Sequence, residues 1–188
     1  GYILQARSGI VSKQDTLDML ANIAASLDNR PARTWRPLID TTNDPIISSR
    51  RPKGWVSWQR SEDYYNEGLL IWLEVDSMLR AKSSGTKSMD DFARAFFGMR
   101  DGDWGVLTYK IQDVAASLNA IQPYDWAGFL KQRLDGLSDR APLAGFTANG
   151  YRLVYTDEPT AAFKDGEKRA TRTDLSYSLG LSVGKGGA

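Results

Sequence analysis

At 188 residues, with 41% hydrophobic and 11% aromatic content, the chain can build a packed core, which excludes an intrinsically disordered segment. Twenty-four Lys and Arg against 23 Asp and Glu give a net charge of +1 with no long run of one sign, so nucleic acid and anionic membrane are not expected as partners. The chain has neither cysteine nor histidine, which excludes disulfides, thiolate or imidazole metal sites, a cysteine nucleophile and a Ser-His-Asp triad.

No apolar run approaches the roughly 20 residues that span a bilayer. Residues 1–7 lack the basic and apolar regions of a signal peptide, and a first residue Gly1 points to a cut or processed product. Cytoplasm and periplasm are both compatible with zero cysteine.

Ser12-Lys13-Gln14-Asp15 fits a capping box, and Leu17, Leu20, Ile23, Ala24 and Leu27 follow at helical spacing until Asn29 and Pro31. From Pro31 to Arg60 the text is irregular, with Pro37, Pro45 and Pro52 as turn signals. It carries Trp35, Trp55 and Trp58, so this loop is expected to pack against something. A helix is expected from about Ser61 to Arg80, ending at Ser83-Ser84-Gly85. Ser88-Met89-Asp90-Asp91 is a second capping box, leading into Phe92, Ala95, Phe96 and Met99. Thr108 is expected to cap a helix carrying Ile111, Val114, Ala115, Leu118 and Ile121. Asp125 is expected to cap the next, with Phe129, Leu130, Leu134 and Leu137 inward.

Residues 1–140 therefore read as a mainly α-helical bundle, expected to stay folded without residues 141–188. Beyond Pro142 the pattern changes. Tyr151, Leu153 and Tyr155 alternate with Arg152, Val154 and Thr156 after an Asn149-Gly150 turn, and Tyr177–Val183 comes after a charged stretch, so 141–188 reads as a β-strand extension.

The chemistry-bearing feature is Tyr64-Tyr65-Asn66-Glu67-Gly68 at the start of the most apolar helix. A phenol stays protonated at neutral pH, so Tyr65 suits donation to a developing oxyanion and not general-base work; that role needs a neighbour holding a metal. The plain alternative is a pair of half-buried aromatics at a helix start. Gly68 costs the helix roughly 1 kcal/mol relative to Ala, which makes sense where a substrate or another backbone approaches. Glu67, Glu74 and Asp76 read as solvent-exposed, salt-bridging carboxylates, and Asp101-Gly102-Asp103 as a turn, since Gln112 stands where a calcium loop needs glutamate. Arg50-Arg51 with Lys53 and Trp55 reads either as an anion subsite, for instance for a peptide carboxylate, or as a solvated loop.

Taken in order, Tyr2–Ile10, Leu38–Asp44 with Arg51-Pro52, Ser61–Gly68, Ser88–Phe92 and Asp125–Leu137 resemble successive blocks of the C-terminal, helical part of the catalytic domain of the glycyl aminopeptidase family, zinc metallopeptidases that carry a PDZ domain. The resemblance implies peptide hydrolysis in a full-length parent. It makes Tyr65 the oxyanion donor, with Tyr64 as its register competitor. Gly68, Arg51, Trp55 and Trp58 become candidates for lining the substrate cleft. Zinc would be the parent's cofactor, with its ligands upstream of Gly1 and none bound by this chain alone; the isolated chain would then be inactive. Glu67 stands where the family's Tyr-x-Lys-Gly block has lysine, reversing a charge beside Tyr65.

The tail segment Ser178-Leu179-Gly180-Leu181 resembles a PDZ carboxylate-binding loop, with Leu179, Gly180 and Leu181 as its backbone donors. Residues 141–188 would then start a truncated PDZ-like domain whose open edge could pair with another strand or a second copy. A noncatalytic helical protein-interaction domain, using the Trp-rich loop and the tail, is the alternative from a different class.

Overall fold

The computed structural model describes residues 2–47, 55–184 and 186. Helices α1 (Tyr2–Arg7) and α2 (Lys13–Asp28) precede two 3-10 turns, Pro31–Thr34 and Leu38–Asn43, and the short helices α3 (Asp44–Ile47) and α4 (Val56–Gln59). Next come α5 (Tyr64–Lys82), α6 (Met89–Phe97), α7 (Ile111–Ile121), α8 (Trp126–Asp135), α9 (Ala144–Ala148), α10 (Ala161–Ala170) and the strands β1 (Arg172–Leu175) and β2 (Leu181–Gly184). The chain is mainly helical with a small C-terminal antiparallel sheet.

Its contacts divide it into two compact units, Arg30–Arg152 and Gly1–Asn29 with Leu153–Ala188. A composition change near residue 140 and a contact boundary near residue 152 are different properties, and residues 141–152 pack with the helices that precede them.

In the larger unit α5 is the central element. Ile71, Val75 and Leu79 recur at four-residue steps on the core face, and Leu70, Glu74 and Ser77 are buried beside them, so more than half of the helix circumference is covered. Ile71, Val75 and Leu79 meet Phe92 and Phe96 of α6, Val114 and Leu118 of α7, and Trp126, Phe129 and Leu130 of α8 in one core. The caps are local and satisfy the first helical N–H groups. Ser88 and Asp91 form a reciprocal capping box at α6, and Asp125 accepts the Gly128 N–H at 2.9 Å at α8. Helix α7 starts two residues later than expected: Lys110, not Thr108, is its cap position, because Asp113 reaches back to the Lys110 N–H at 2.7 Å. Leu137 lies beyond the end of α8 and is exposed, not inward.

Helix α9 crosses α5 closely enough that a Cβ on Gly145 would fall 2.7 Å from the Glu74 amide nitrogen. Asn149 fastens this crossing, donating to Ser77 Oγ at 2.6 Å and to the Gly145 carbonyl at 2.7 Å.

In the smaller unit Ser12 caps α2 by accepting the Asp15 N–H at 3.0 Å, and α2 packs against α1 and α10. The strand expected at Tyr151–Thr156 is absent; this segment has no regular structure, and no described strand pairs with it. The Tyr155 ring instead packs 5.7 Å from that of Tyr177. The charged stretch before Tyr177 is largely helix α10, capped by Thr160, where the dense Lys, Asp, Glu and Arg content hid the helical period. Of the expected strand Tyr177–Val183, residues 176–180 form the turn of a hairpin in which β1 and β2 pair from Arg172↔Gly184 to Leu175↔Leu181.

Candidate functional site

The start of α5 is held by an arginine-carboxylate network. Arg33 forms a two-pronged pair with Glu67, Nη1 to Oε2 at 2.5 Å and Nη2 to Oε1 at 2.8 Å, and Arg60 Nη2 contacts the same Oε2. Arg60 Nε also reaches Asp63 Oδ2 at 2.9 Å, while Arg30 pairs with Asp63 Oδ1. Arg36 joins Asp44 at 2.8 Å and donates to the Gln59 carbonyl, so the residues preceding α5 are pinned from several sides.

Asp63 occupies the cap position of α5 but makes no capping bond, because both carboxylate oxygens serve arginines. Trp55, Arg60 and Glu62 have φ values of 60°, 59° and 42°, a left-handed backbone costly for non-glycine residues. At Arg60 and Glu62 the network and the Asp44 carboxylate, which accepts the Glu62 N–H at 3.3 Å, hold that geometry.

Glu67 is therefore not a solvated carboxylate. Only 3% of its surface is exposed, and two guanidinium groups neutralise it. Glu74 is buried too, against Arg133 at 2.5 and 2.9 Å. Both corrections share one cause: partners distant in sequence supply the counter-charge that offsets the cost of burial. Asp76 keeps the expected role, pairing with Arg80 at 2.8 Å and accepting the Met89 N–H.

The two tyrosines part company. Tyr64 packs against the core and lines an apolar cavity, whereas Tyr65 is 67% exposed, with ring centroids 4.4 Å apart. Gly68 lies on the wall of the same cavity, and a Cβ there would meet no atom within 4 Å. Of the two expected neighbours of Gly68, a substrate or another backbone, no backbone among the described residues approaches it, and open space lies beside it. The cavity measures about 480 Å³ and is walled by α5, α6, α7 and α8 and by Leu38, and its lining residues Phe97, Tyr109 and Ile111 are exposed. Trp104 and Val106, on the connection from α6 to α7, are almost wholly exposed.

Trp55 and Trp58 do not line this cavity. Both are exposed, as is Trp35, so the expectation of a packed aromatic loop fails for their side chains. Trp35 donates its indole N–H to the Trp58 carbonyl at 3.1 Å, which links the two segments without burying either ring. Arg51 lies outside the described residues. In the tail, the N–H groups of Ser178, Leu179 and Gly180 all point to the Leu175 carbonyl at 2.8–3.1 Å, and Leu181 is a rung of the hairpin.

The sequence reading missed Arg30, Arg33, Arg60 and Asp63. A faint signal existed in Arg30, Arg33 and Arg36 at three-residue steps, facing Arg60, Asp63 and Glu67 later in the chain. Nothing in the spacing alone says that the two sets meet.

Zinc does not fit the residues of this chain. It has no histidine or cysteine, and among the described residues no group of three or more Asp or Glu could hold a metal ion.

No curated protein matches the chain. A family model does, that of M61 glycyl aminopeptidase, over residues 1–71. The matched stretch runs through the arginine-carboxylate network and ends within α5, three residues past Gly68, so the segment bearing both tyrosines is similar to a peptidase family.

Proposed function

We propose that this chain is part of the catalytic domain of a peptide hydrolase of the glycyl aminopeptidase kind, supplying a tyrosine donor and part of the substrate cleft. The observation carrying this reading is the family match ending in α5 just beyond Tyr64, Tyr65 and Gly68. Tyr65 has the fitting chemistry: a phenol O–H donor on an exposed first turn, on a helix start fixed by buried ion pairs. Preorganisation of this sort lets a donor act without reorganising as charge develops.

Zinc, if the full-length protein uses it, would be held by residues outside these 188, and would supply Lewis-acid activation there. What this chain contributes is the donor, its orientation and an apolar wall. A PDZ start in the tail would require the Leu179 and Gly180 N–H groups to leave the Leu175 carbonyl before they could receive a peptide carboxylate.

The test is Tyr65→Phe in the full-length protein. Loss of one oxyanion donor should lower kcat roughly a hundredfold to a thousandfold with a smaller change in KM. Tyr64→Phe is the control, since neighbouring helical residues point about 100° apart. If Tyr65→Phe keeps normal kcat while Tyr64→Phe abolishes it, the donor is Tyr64. If neither matters, the second reading takes over, a noncatalytic interaction domain, which the exposed Trp104 and Val106 favour.

A further inference from the structure

The cavity beside Tyr64 has a composition that selects its occupant. Tyr64, Gly68 and Trp72 of α5, Phe92 and Phe96 of α6, and Tyr109 define its walls, and among the described residues none that lines it carries a formal charge. The rings are arranged for further aromatic contact: Phe92 lies 5.4 Å from Trp72 and stacks 5.2 Å from Phe96, which meets Tyr109 edge-on at 5.1 Å. A charged group entering here would lose water and find no counter-charge among the described lining residues, whereas an apolar side chain gains by leaving water. At about 480 Å³ the cavity lies within the size range of small-ligand sites, roughly 300–1,000 Å³.

Gly68 leaves part of this space open. Glycine in a helix interior costs roughly 1 kcal/mol relative to alanine, and here no atom of the described residues would meet a Cβ within 4 Å. Packing does not require the glycine, but the open volume does.

We propose that this cavity receives a bulky apolar side chain, aromatic or branched aliphatic, of a bound peptide, and that Gly68 is the residue that determines its selectivity. That the ligand is a peptide rests on the proposed peptidase function, which the side-chain class deepens. Glycine, the residue for which the matched family is named, has no side chain to place here, so the cavity serves another residue of the same peptide.

The experiment uses the 188-residue chain and two probes, N-acetyl-phenylalaninamide and N-acetyl-alaninamide, titrated by ¹⁵N–¹H correlation spectra. The phenylalanine probe should give saturable shifts at Gly68, Trp72, Phe92 and Phe96, with affinity at least about tenfold above the alanine probe, as one ring of apolar burial implies. Gly68→Leu should weaken the phenylalanine probe by at least about tenfold while leaving the melting temperature equal or higher. Gly68→Ala should fall between. If Gly68→Leu fails to fold, Gly68→Ala, which favours helix, gives the answer.

Equal affinity for both probes, no saturable shifts, or unchanged binding in the folded Gly68 variant would overturn the proposal. The two readings fail separately: kcat indifferent to both Tyr65→Phe and Tyr64→Phe with probe binding intact removes the tyrosine-donor reading alone, and the reverse pattern removes the pocket alone.

Discussion

Arg33 and Glu67, 34 residues apart, face each other in a buried two-pronged ion pair at 2.5 and 2.8 Å. Arg60 closes on the same carboxylate, so a reversed charge beside the candidate tyrosine donor is neutralised on the spot. Glu67→Gln should destabilise the fold by about 3–5 kcal/mol, the cost of leaving a buried partner uncompensated. Glu67→Lys, restoring the lysine of the resembling block, should cost more, because three cations would then share one buried site. Chemical denaturation of the three proteins checks this, and a Lys variant as stable as the parent would mean the network re-forms elsewhere.

Tyr64 and Tyr65 should differ in stability as well as chemistry. Tyr64→Ala removes a ring packed on the core and should cost about 1–2 kcal/mol, less than the roughly 3–5 of a fully buried aromatic. Tyr65→Ala should stay within about 0.5 kcal/mol, as for most exposed positions. Thermal melts of the two variants decide, and equal losses would place both rings in the core.

Residues 30–152 should fold alone and melt cooperatively, since the core around Ile71, Val75, Phe92, Leu118 and Trp126 lies wholly within them. A version ending at residue 140 lacks α9 and should be less stable. Gly145→Ala, which drives a methyl group against the α5 backbone, should cost about 1–3 kcal/mol in the intact chain. Circular dichroism of the fragments and the variant tests all three statements.

Asp91 gives an acid-side pH dependence. The Ser88 N–H, at 2.9 Å from its carboxylate, holds its pKa below the ordinary 3.8, with help from Arg94 and the Ser88 hydroxyl. A depressed folded pKa contributes stability that is fully present above the unfolded value and is lost as pH falls through the folded one. The melting temperature of the wild type should therefore drop more steeply below about pH 4 than that of Asp91→Asn. Parallel curves would show that the capping box contributes nothing through charge.

Calorimetry of the 188-residue chain with zinc at neutral pH should find no stoichiometric submicromolar site, for want of imidazole or thiolate donors. A tight, saturable site would mean that carboxylates assemble one.

The helical class and the starts of several helices are legible in the order of the residues. Ser12, Ser88 and Asp125 cap helices through bonds that span three residues or fewer, so the pattern that announces them is complete within a few positions. The same order places Tyr64, Tyr65 and Gly68 on one helix start, because a period of 3.6 residues is a local property. The burial of Glu67 and Glu74 depends on the folded chain, since their partners Arg33 and Arg133 stand 34 and 59 residues away. The tertiary structure alone decided that Tyr65 faces out while Tyr64 lines a cavity, that Gly68 borders open space, and that Tyr151–Thr156 forms no strand. Alternation is half of a strand; the other half is a neighbour to pair with, and no sequence window contains that neighbour.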